Sequence, residues 1–373
     1  MKLLTISFFL FCGAGVFGQQ IPAGSHGAML NVSKLADDLE QRYKNKCVGF
    51  QFVISYKDQF EVQRAWGKAR RVQDHPNTDM TSGQQYNIAS VAKPITGAAL
   101  MKVLASRSDV TVDSKMWPFL PSHWKVDNTV KVITFRDLLT HTSGFRSGAI
   151  DYADLKDMIK QGIHPADHGV DKYQNCNYAI MRLLIPKLAK MPVIEIPASI
   201  PAALLPAQES IQTMQYAVDY MDFVQKKLFT PVGLPTMRCK PKANDPALCY
   251  QFPETSAHGG DFGDHTLICG SSGWNMSTRQ MSTFFSHLHY TNQVWNDNLN
   301  NYMKKLCYEI GTTPKGVGYY EKEGYYPGSE NPGELNSVMV GFENGIIVVL
   351  IANSQAPSVD TSSRFQNASE RGA

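Results

Sequence analysis

The chain has no block of basic residues. Its 36 Lys and Arg nearly balance its 33 Asp and Glu, and the formal net charge is only +3. That balance argues against nucleic acid or an anionic membrane as the main partner. After the leader no second long apolar stretch occurs, so no membrane span is expected in the rest of the chain. Several catalytic signatures are missing too. There is no phosphate loop, no dinucleotide fingerprint, no His-x-His-x-Asp-His zinc pattern and no Gly-x-Ser-x-Gly elbow. His164-Pro-Ala-Asp-His168 holds two histidines at i and i+4, but Pro165 works against the helical face such ligands need, so a loop is expected there. No metal and no organic cofactor is expected. No internal repeat or low-complexity tract stands out.

What is present fits an exported globular protein. With 373 residues, 43% of them hydrophobic, the chain can hold one large domain or two modest ones. Lys2, the apolar run Leu3–Val16 and the small Gly18 before Gln19-Gln20 have the order of a cleaved signal, which predicts a mature start near Gln19 and a secreted protein. Outside that leader lie Cys47, Cys176, Cys239, Cys249, Cys269 and Cys307, an even number that suggests disulfides in an oxidising compartment. Cys239 and Cys249 flank a polar stretch suited to a small closed loop, whereas buried free thiols are the alternative. Asn31, Asn275 and Asn367 begin glycosylation sequons.

The hydrophobic pattern predicts strands at both ends and helices between. Asn31–Tyr43 reads as a helix capped by Ser33, with Leu35, Leu39 and Tyr43 on one face. Val48–Tyr56 and Phe60–Trp66 read as strands, as do Ser337–Gly341 and Gly345–Asn353, a hairpin pair. Helical segments are expected at Ser90–Leu104, Phe135–Thr140, Tyr178–Leu188, Gln212–Phe229 and Ser277–Tyr290, with an exposed insertion at 191–206. The resulting expectation is an α/β (α+β) fold. A mainly antiparallel sheet, closed by both chain ends and flanked by helices, would carry an inserted helical subdomain. The boundaries would be 1–18 for the signal, 19–108 plus 303–373 for the sheet subdomain, and 109–302 for the helical one.

The chemistry-bearing pattern is Ser-x-x-Lys. At a helix start, residues i and i+3 share a face, so the lysine can reach the serine hydroxyl. If burial strips the lysine of water, its charged form is disfavoured and the neutral amine can take the serine proton. The pattern occurs twice, at Ser90-Val-Ala-Lys93 and at Ser122-His-Trp-Lys125. Ser90 opens a run of small and apolar residues with Pro94 in its first turn, where a missing N–H costs little. Ser122 follows Pro118-Phe-Leu-Pro121 without a helical run and reads as a loop serine.

Tyr86-Asn-Ile-Ala-Ser90-Val-Ala-Lys93 resembles the first motif of the class C β-lactamase family, which also holds D-alanyl-D-alanine peptidases and esterases. Ile133-Thr-Phe-Arg-Asp-Leu-Leu-Thr-His-Thr-Ser-Gly-Phe145 is similar to a second family signature, in which His141 supports the site's wall. Lys227–Met237 and Cys269–Met281 also resemble family segments, the latter a glycine turn lining the cleft. The resemblance runs from about residue 33 to 355 and implies the β-lactamase/transpeptidase-like fold. It further implies a Tyr-x-Asn motif. Of Tyr43-Lys-Asn45, Tyr173-Gln-Asn175 and Tyr290-Thr-Asn292, only Tyr173 stands in the family order. Tyr173 would then shuttle protons, ionising readily beside cationic groups, and Asn175 would bind lysine and substrate.

The family's third motif, Lys-Thr-Gly or His-x-Gly, has three candidates. Counting back from the turn Gly333–Ser337 favours Tyr326-Pro-Gly328, with Ser329 following it; Lys322-Glu-Gly324 needs a longer loop, and His258-Gly-Gly260 stands in the wrong order. The resemblance thus implies a serine hydrolase. Its catalytic residues would be Ser90, Lys93 and Tyr173, with Asn175, Tyr326, Gly328 and Ser329 binding a small-molecule or peptide ester or amide. The tyrosine in place of a basic residue leaves a weakly catalytic binding or scaffold protein as the alternative.

Overall fold

The computed structural model describes residues 20–22, 29–197, 199–243, 246–253, 257–313, 316–327 and 333–356. The leader, Asn367, Gly328 and Ser329 lie outside the described residues. Seven strands form one antiparallel sheet: β1 (Gly49–Tyr56), β2 (Phe60–Arg70), β3 (Thr78–Asp79), β4 (Glu309–Thr312), β5 (Gly318–Tyr326), β6 (Leu335–Phe342) and β7 (Ile346–Ala352). Their spatial order is β3-β2-β1-β7-β6-β5-β4. The early strand β1 pairs with the last strand β7, Tyr56 opposite Ile346 and Phe50 opposite Ala352. The sheet is therefore closed by both ends of the chain, as its β-branched and aromatic runs predict.

Period-two alternation gives the sheet two different faces. Phe50, Phe52, Ile54, Val338, Val340, Val348 and Leu350 point to one side, where α1 (Val32–Tyr43) buries Val32, Leu35, Ala36, Leu39 and Tyr43 against them. The cap of α1 is Asn31, whose side chain accepts from the Lys34 N–H at 3.0 Å. The expected cap, Ser33, lies inside the first turn. Asn31 wins because its carbonyl reaches the orphan donor from the extended residue ahead of the helix. On the opposite side Val53, Met339, Val349 and Ile351 join the main core, which holds α2 (Lys93–Ala105) and α5 (Thr278–Tyr290).

Helix α2 is buried almost all round, as its run of small and apolar residues implies. A methyl group on Gly97 would sit 2.6 Å from Cys307 Sγ, so glycine is what admits α6 (Asp297–Cys307) this closely. Between β3 and β4 the chain also forms α3 (Met181–Leu188) and α4 (Leu205–Val224). The described residues of the 191–204 segment before α4 carry neither helix nor strand, in keeping with its proline content. Among the described residues no helix is long and apolar enough to cross a membrane.

The disulfide differs from the sequence expectation. Cys239 bonds Cys269, with Cα atoms 6.1 Å apart, whereas Cys47, Cys176, Cys249 and Cys307 are buried free thiols. Closeness in sequence did not decide the pairing. Cys249 is drawn away by a two-way backbone bridge to Gly260, at 2.8 and 3.1 Å. One sequon is also structurally closed: Asn275 is buried and donates to the Gly273 carbonyl at 3.0 Å.

Candidate active site

Ser90 lies in a short 3-10 turn, Ala89–Ala92, and Lys93 is the first residue of α2. Three residues per turn place i and i+3 in line, which brings the serine and lysine side chains together more directly than an α-turn would. Ala89, just before Ser90, has φ of 46°, a conformation a side chain adopts at a cost. Asn87 supports it, since its Oδ1 accepts from the Ala89 N–H at 3.0 Å and from the Gly273 N–H at 3.2 Å.

Lys93 is completely buried. Its Nζ lies 2.9 Å from Ser90 Oγ, 2.8 Å from Asn175 Oδ1 and 2.9 Å from the Ser271 carbonyl oxygen. Burial, aided by the nearby Lys322 charge, holds its pKa well below the ordinary lysine value. The neutral amine has two N–H groups and one lone pair. Asn175 Oδ1 and the Ser271 carbonyl can only accept, so they take the two hydrogens and leave the lone pair facing Ser90 Oγ. That arrangement is a base aimed at the serine proton.

Tyr173 completes the cluster, with its hydroxyl 2.6 Å from Ser90 Oγ. As a residue it is 45% exposed, yet its hydroxyl end is crowded, and this loss of water pushes its pKa up to about 12. The expectation of an easily ionised tyrosine is therefore corrected. Desolvation outweighs the hydrogen bond with Ser90, and the neighbouring Lys93 is itself disposed to be neutral. The tyrosine ring sits 4.8 Å from Lys93 Nζ and 5.1 Å from Lys322 Nζ. His141 packs against it with ring centroids 4.6 Å apart. The His141 Nδ1 accepts from the Gln174 N–H at 3.2 Å, and burial with the two lysines lowers its pKa to about 3. His141 is thus a neutral positioning residue, as the structural reading of its motif expects.

A family model described as Beta-lactamase matches residues 35–373. The chain belongs to the beta-lactamase family. No curated protein matches it. Solved structures with the same fold include FmtA from Staphylococcus aureus, at 15% identity and TM-score 0.65 over 92% of this chain and 87% of that one. A beta-lactamase/D-alanine carboxypeptidase from Pseudomonas syringae aligns at 13% identity and TM-score 0.67, covering 92% and 98%. A D-amino acid amidase from Ochrobactrum anthropi SV3 aligns at 16% identity and TM-score 0.64, covering 91% and 95%. The mixed fold with its helix-flanked antiparallel sheet is the beta-lactamase fold.

Within this beta-lactamase fold the third motif falls elsewhere than counting back from the glycine turn suggests. Gly324 backs onto the Ser90 turn: a methyl on Gly324 would lie 2.6 Å from the Ile88 oxygen and 3.0 Å from the Ser90 nitrogen. Gly324 pairs with Ser337, so Lys322, Gly324 and Tyr326 all face the site. Lys322 is the basic residue there, buried, with its amine near the Tyr173 ring. Tyr326 instead stacks on Phe262, ring centroids 4.3 Å apart. Its hydroxyl is buried near Ser272 and Asn87 without a well-formed hydrogen bond among the described residues. The misplacement arose from loop length: the β5–β6 connection runs from Pro327 to Glu334, longer than a tight turn. His258 is occupied elsewhere, 2.8 Å from Asp74.

Sequence reasoning also missed the groups that hold the pair in place. The Ser271 oxygen, Asn87 and the glycine turn 270–273 act through backbone or short side chains, which carry no motif of their own. Their signal was the cleft-lining resemblance of Cys269–Met281, now seen with the Gly270 oxygen accepting from Thr96 at 2.6 Å. The stretch 164–168, expected as a loop, carries a single 3-10 turn at Pro165–Asp167. Within 164–168, His168 Nε2 lies 3.2 Å from Asp137, and His164 Nδ1 accepts from the Ala166 N–H at 3.3 Å.

Proposed function

We propose that this chain is a secreted serine hydrolase that cleaves an ester or amide through an acyl-enzyme on Ser90. One observation carries the reading: Ser90 Oγ is held at once by the buried, neutral-disposed Lys93 and by the Tyr173 hydroxyl. Lys93 Nζ takes the Ser90 proton as Oγ forms its bond to the carbonyl carbon. The carbonyl oxygen gains the negative charge, in reach of the Ser90 N–H and of the strand N–H following Gly324, at Tyr325. Tyr173, a phenol at working pH, hands its proton to the leaving oxygen or nitrogen and recovers one from Lys93. The C–O or C–N bond breaks, and water attacks the acyl-enzyme by the reverse path, restoring Ser90. The alternative scaffold reading rests on the absence of a basic third-motif residue; Lys322, facing the site from β5 beside the Tyr173 ring, supports the hydrolase reading instead.

The test is labelling with a fluorophosphonate followed by peptide mapping, beside turnover of a neutral ester. Modification of Ser90 with measurable turnover is expected. An unlabelled Ser90 and no turnover above a Ser90→Ala control would overturn the proposal.

A further inference from the structure

A cavity of about 370 Å³ opens beside Tyr173, lined in part by Lys322, Lys305, Glu309, Asp171, His141 and Tyr178. Its charge pattern is not needed by the hydrolytic scheme. Lys322 enters from β5 with its side chain only 8% exposed, and its Nζ lies 3.1 Å from Glu309 Oε1. Glu309 stands on β4, the edge strand of the sheet, with its own side chain 67% exposed. A nearly buried ammonium needs an anionic partner. Here the chain provides one from its own edge, on the wall of the space next to the nucleophile. The Lys322 amine is one tyrosine ring away from Ser90, so whatever contacts this ion pair also borders the reacting bond.

A substrate carboxylate entering here meets two obstacles. It has to displace Glu309 from Lys322, and the displaced carboxylate then repels it at short range. A substrate ammonium meets the exposed oxygen of Glu309 instead, with a carboxylate at Asp171 on the same wall. The wall holds two cations, Lys322 and Lys305, and two carboxylates, Glu309 and Asp171, so its lining carries no net charge to reverse this order. Because Glu309 is well exposed, water and salt weaken the effect, and it is modest in size.

We infer that Glu309 sets the charge preference of the site: as the built-in counter-ion of Lys322 it excludes carboxylate-bearing substrates and admits neutral or amine-bearing ones. The inference rests on the hydrolase reading of Ser90 and names its substrate class. The experiment uses three esters of matched shape that place a neutral, an ammonium or a carboxylate group in the cavity. For each protein kcat/KM is expressed relative to its own neutral ester, which removes any general loss of activity or fold. In the parent, the ammonium ester should exceed the carboxylate ester. In Glu309→Gln the carboxylate-to-ammonium ratio should rise roughly tenfold, and Glu309→Asp should restore the parental order. The shift should shrink as salt is raised. A ratio unmoved by Glu309→Gln, or a parent that already prefers the carboxylate ester, overturns the inference while leaving the hydrolase reading intact. If the parent neither labels at Ser90 nor turns over any of the three esters, both fall together.

Discussion

The chain contains the same four-residue pattern twice, and the two copies share little beyond their letters. Ser90 and Lys93 lie on one turn, at the start of a buried helix, with the lysine amine enclosed by Asn175, Ser271 and Tyr173. Ser122 and Lys125 lie on an exposed irregular stretch, where Ser122 donates to Glu195 at 2.7 Å. A lysine in water keeps its proton and cannot act as a base at neutral pH. The comparison teaches that the pattern supplies reach, whereas burial and two fixed acceptors supply basicity.

The sharpest way to break this comparison is to exchange the serines. Ser90→Ala should remove acylation and reduce ester turnover by roughly a thousand-fold or more, whereas Ser122→Ala should match the parent; kcat/KM and labelled-peptide mapping decide. Labelling at Ser122 would reverse the assignment. The lysines come next. Lys93→Met should be as inactive as Ser90→Ala, and Lys125→Met should be silent. A buried lysine held below its unfolded value costs stability, in full below its folded pKa, and that cost fades only as pH rises toward the ordinary value near ~10.4. Lys93→Met should therefore melt no lower than the parent at neutral pH, a point calorimetry would check.

The proton path gives the next contrast. Tyr173→Phe loses only a hydroxyl and should slow turnover by about a hundred- to ten-thousand-fold, with the ester still bound. In the parent, kcat/KM should fall as the medium is acidified, because protonating Lys93 occupies its lone pair. It should hold through the mildly alkaline range, since the Tyr173 phenol ionises only near about 12. A rate that rises on acidification would show that Lys93 is not the base. The smallest effect is expected at the disulfide. Cys269 adjoins the turn whose Ser271 oxygen holds Lys93, a brace the Ser122 copy lacks. Cys239→Ser should cost stability on the order of 2–4 kcal/mol and lower turnover only slightly, which denaturant melts and a neutral-ester assay would separate.

The parts of the fold that were legible in the sequence are those set by local periodicity. The α1 stripe of Leu35, Leu39 and Tyr43, and the hairpin of β6 and β7, need only neighbours a few residues away. Ser90, Lys93, Tyr173 and Asn175 were legible because motif order along the chain selected one copy of each pattern. What escaped depended on distances across the fold. The cysteine pairing, the position of Lys322 and Gly324 against Ser90, and the crowding that keeps Tyr173 a phenol all arise where separate segments meet. Counting residues from Gly333 could not supply the length of the loop before it.

The pairing of β1 with β7 has a consequence for how the protein is made. These partners are about 300 residues apart in sequence. The centre of the sheet cannot close until Ile346–Ala352 has left the ribosome, so its closure is late and slow compared with a helical bundle. Until then β1 and β6 each lack the neighbour they share, and both present open edges prone to wrong pairing. Ser90 emerges more than 200 residues before Lys322 and Gly324. The nascent chain thus carries Ser90 without the strand behind it, and the candidate site is completed only when that strand docks.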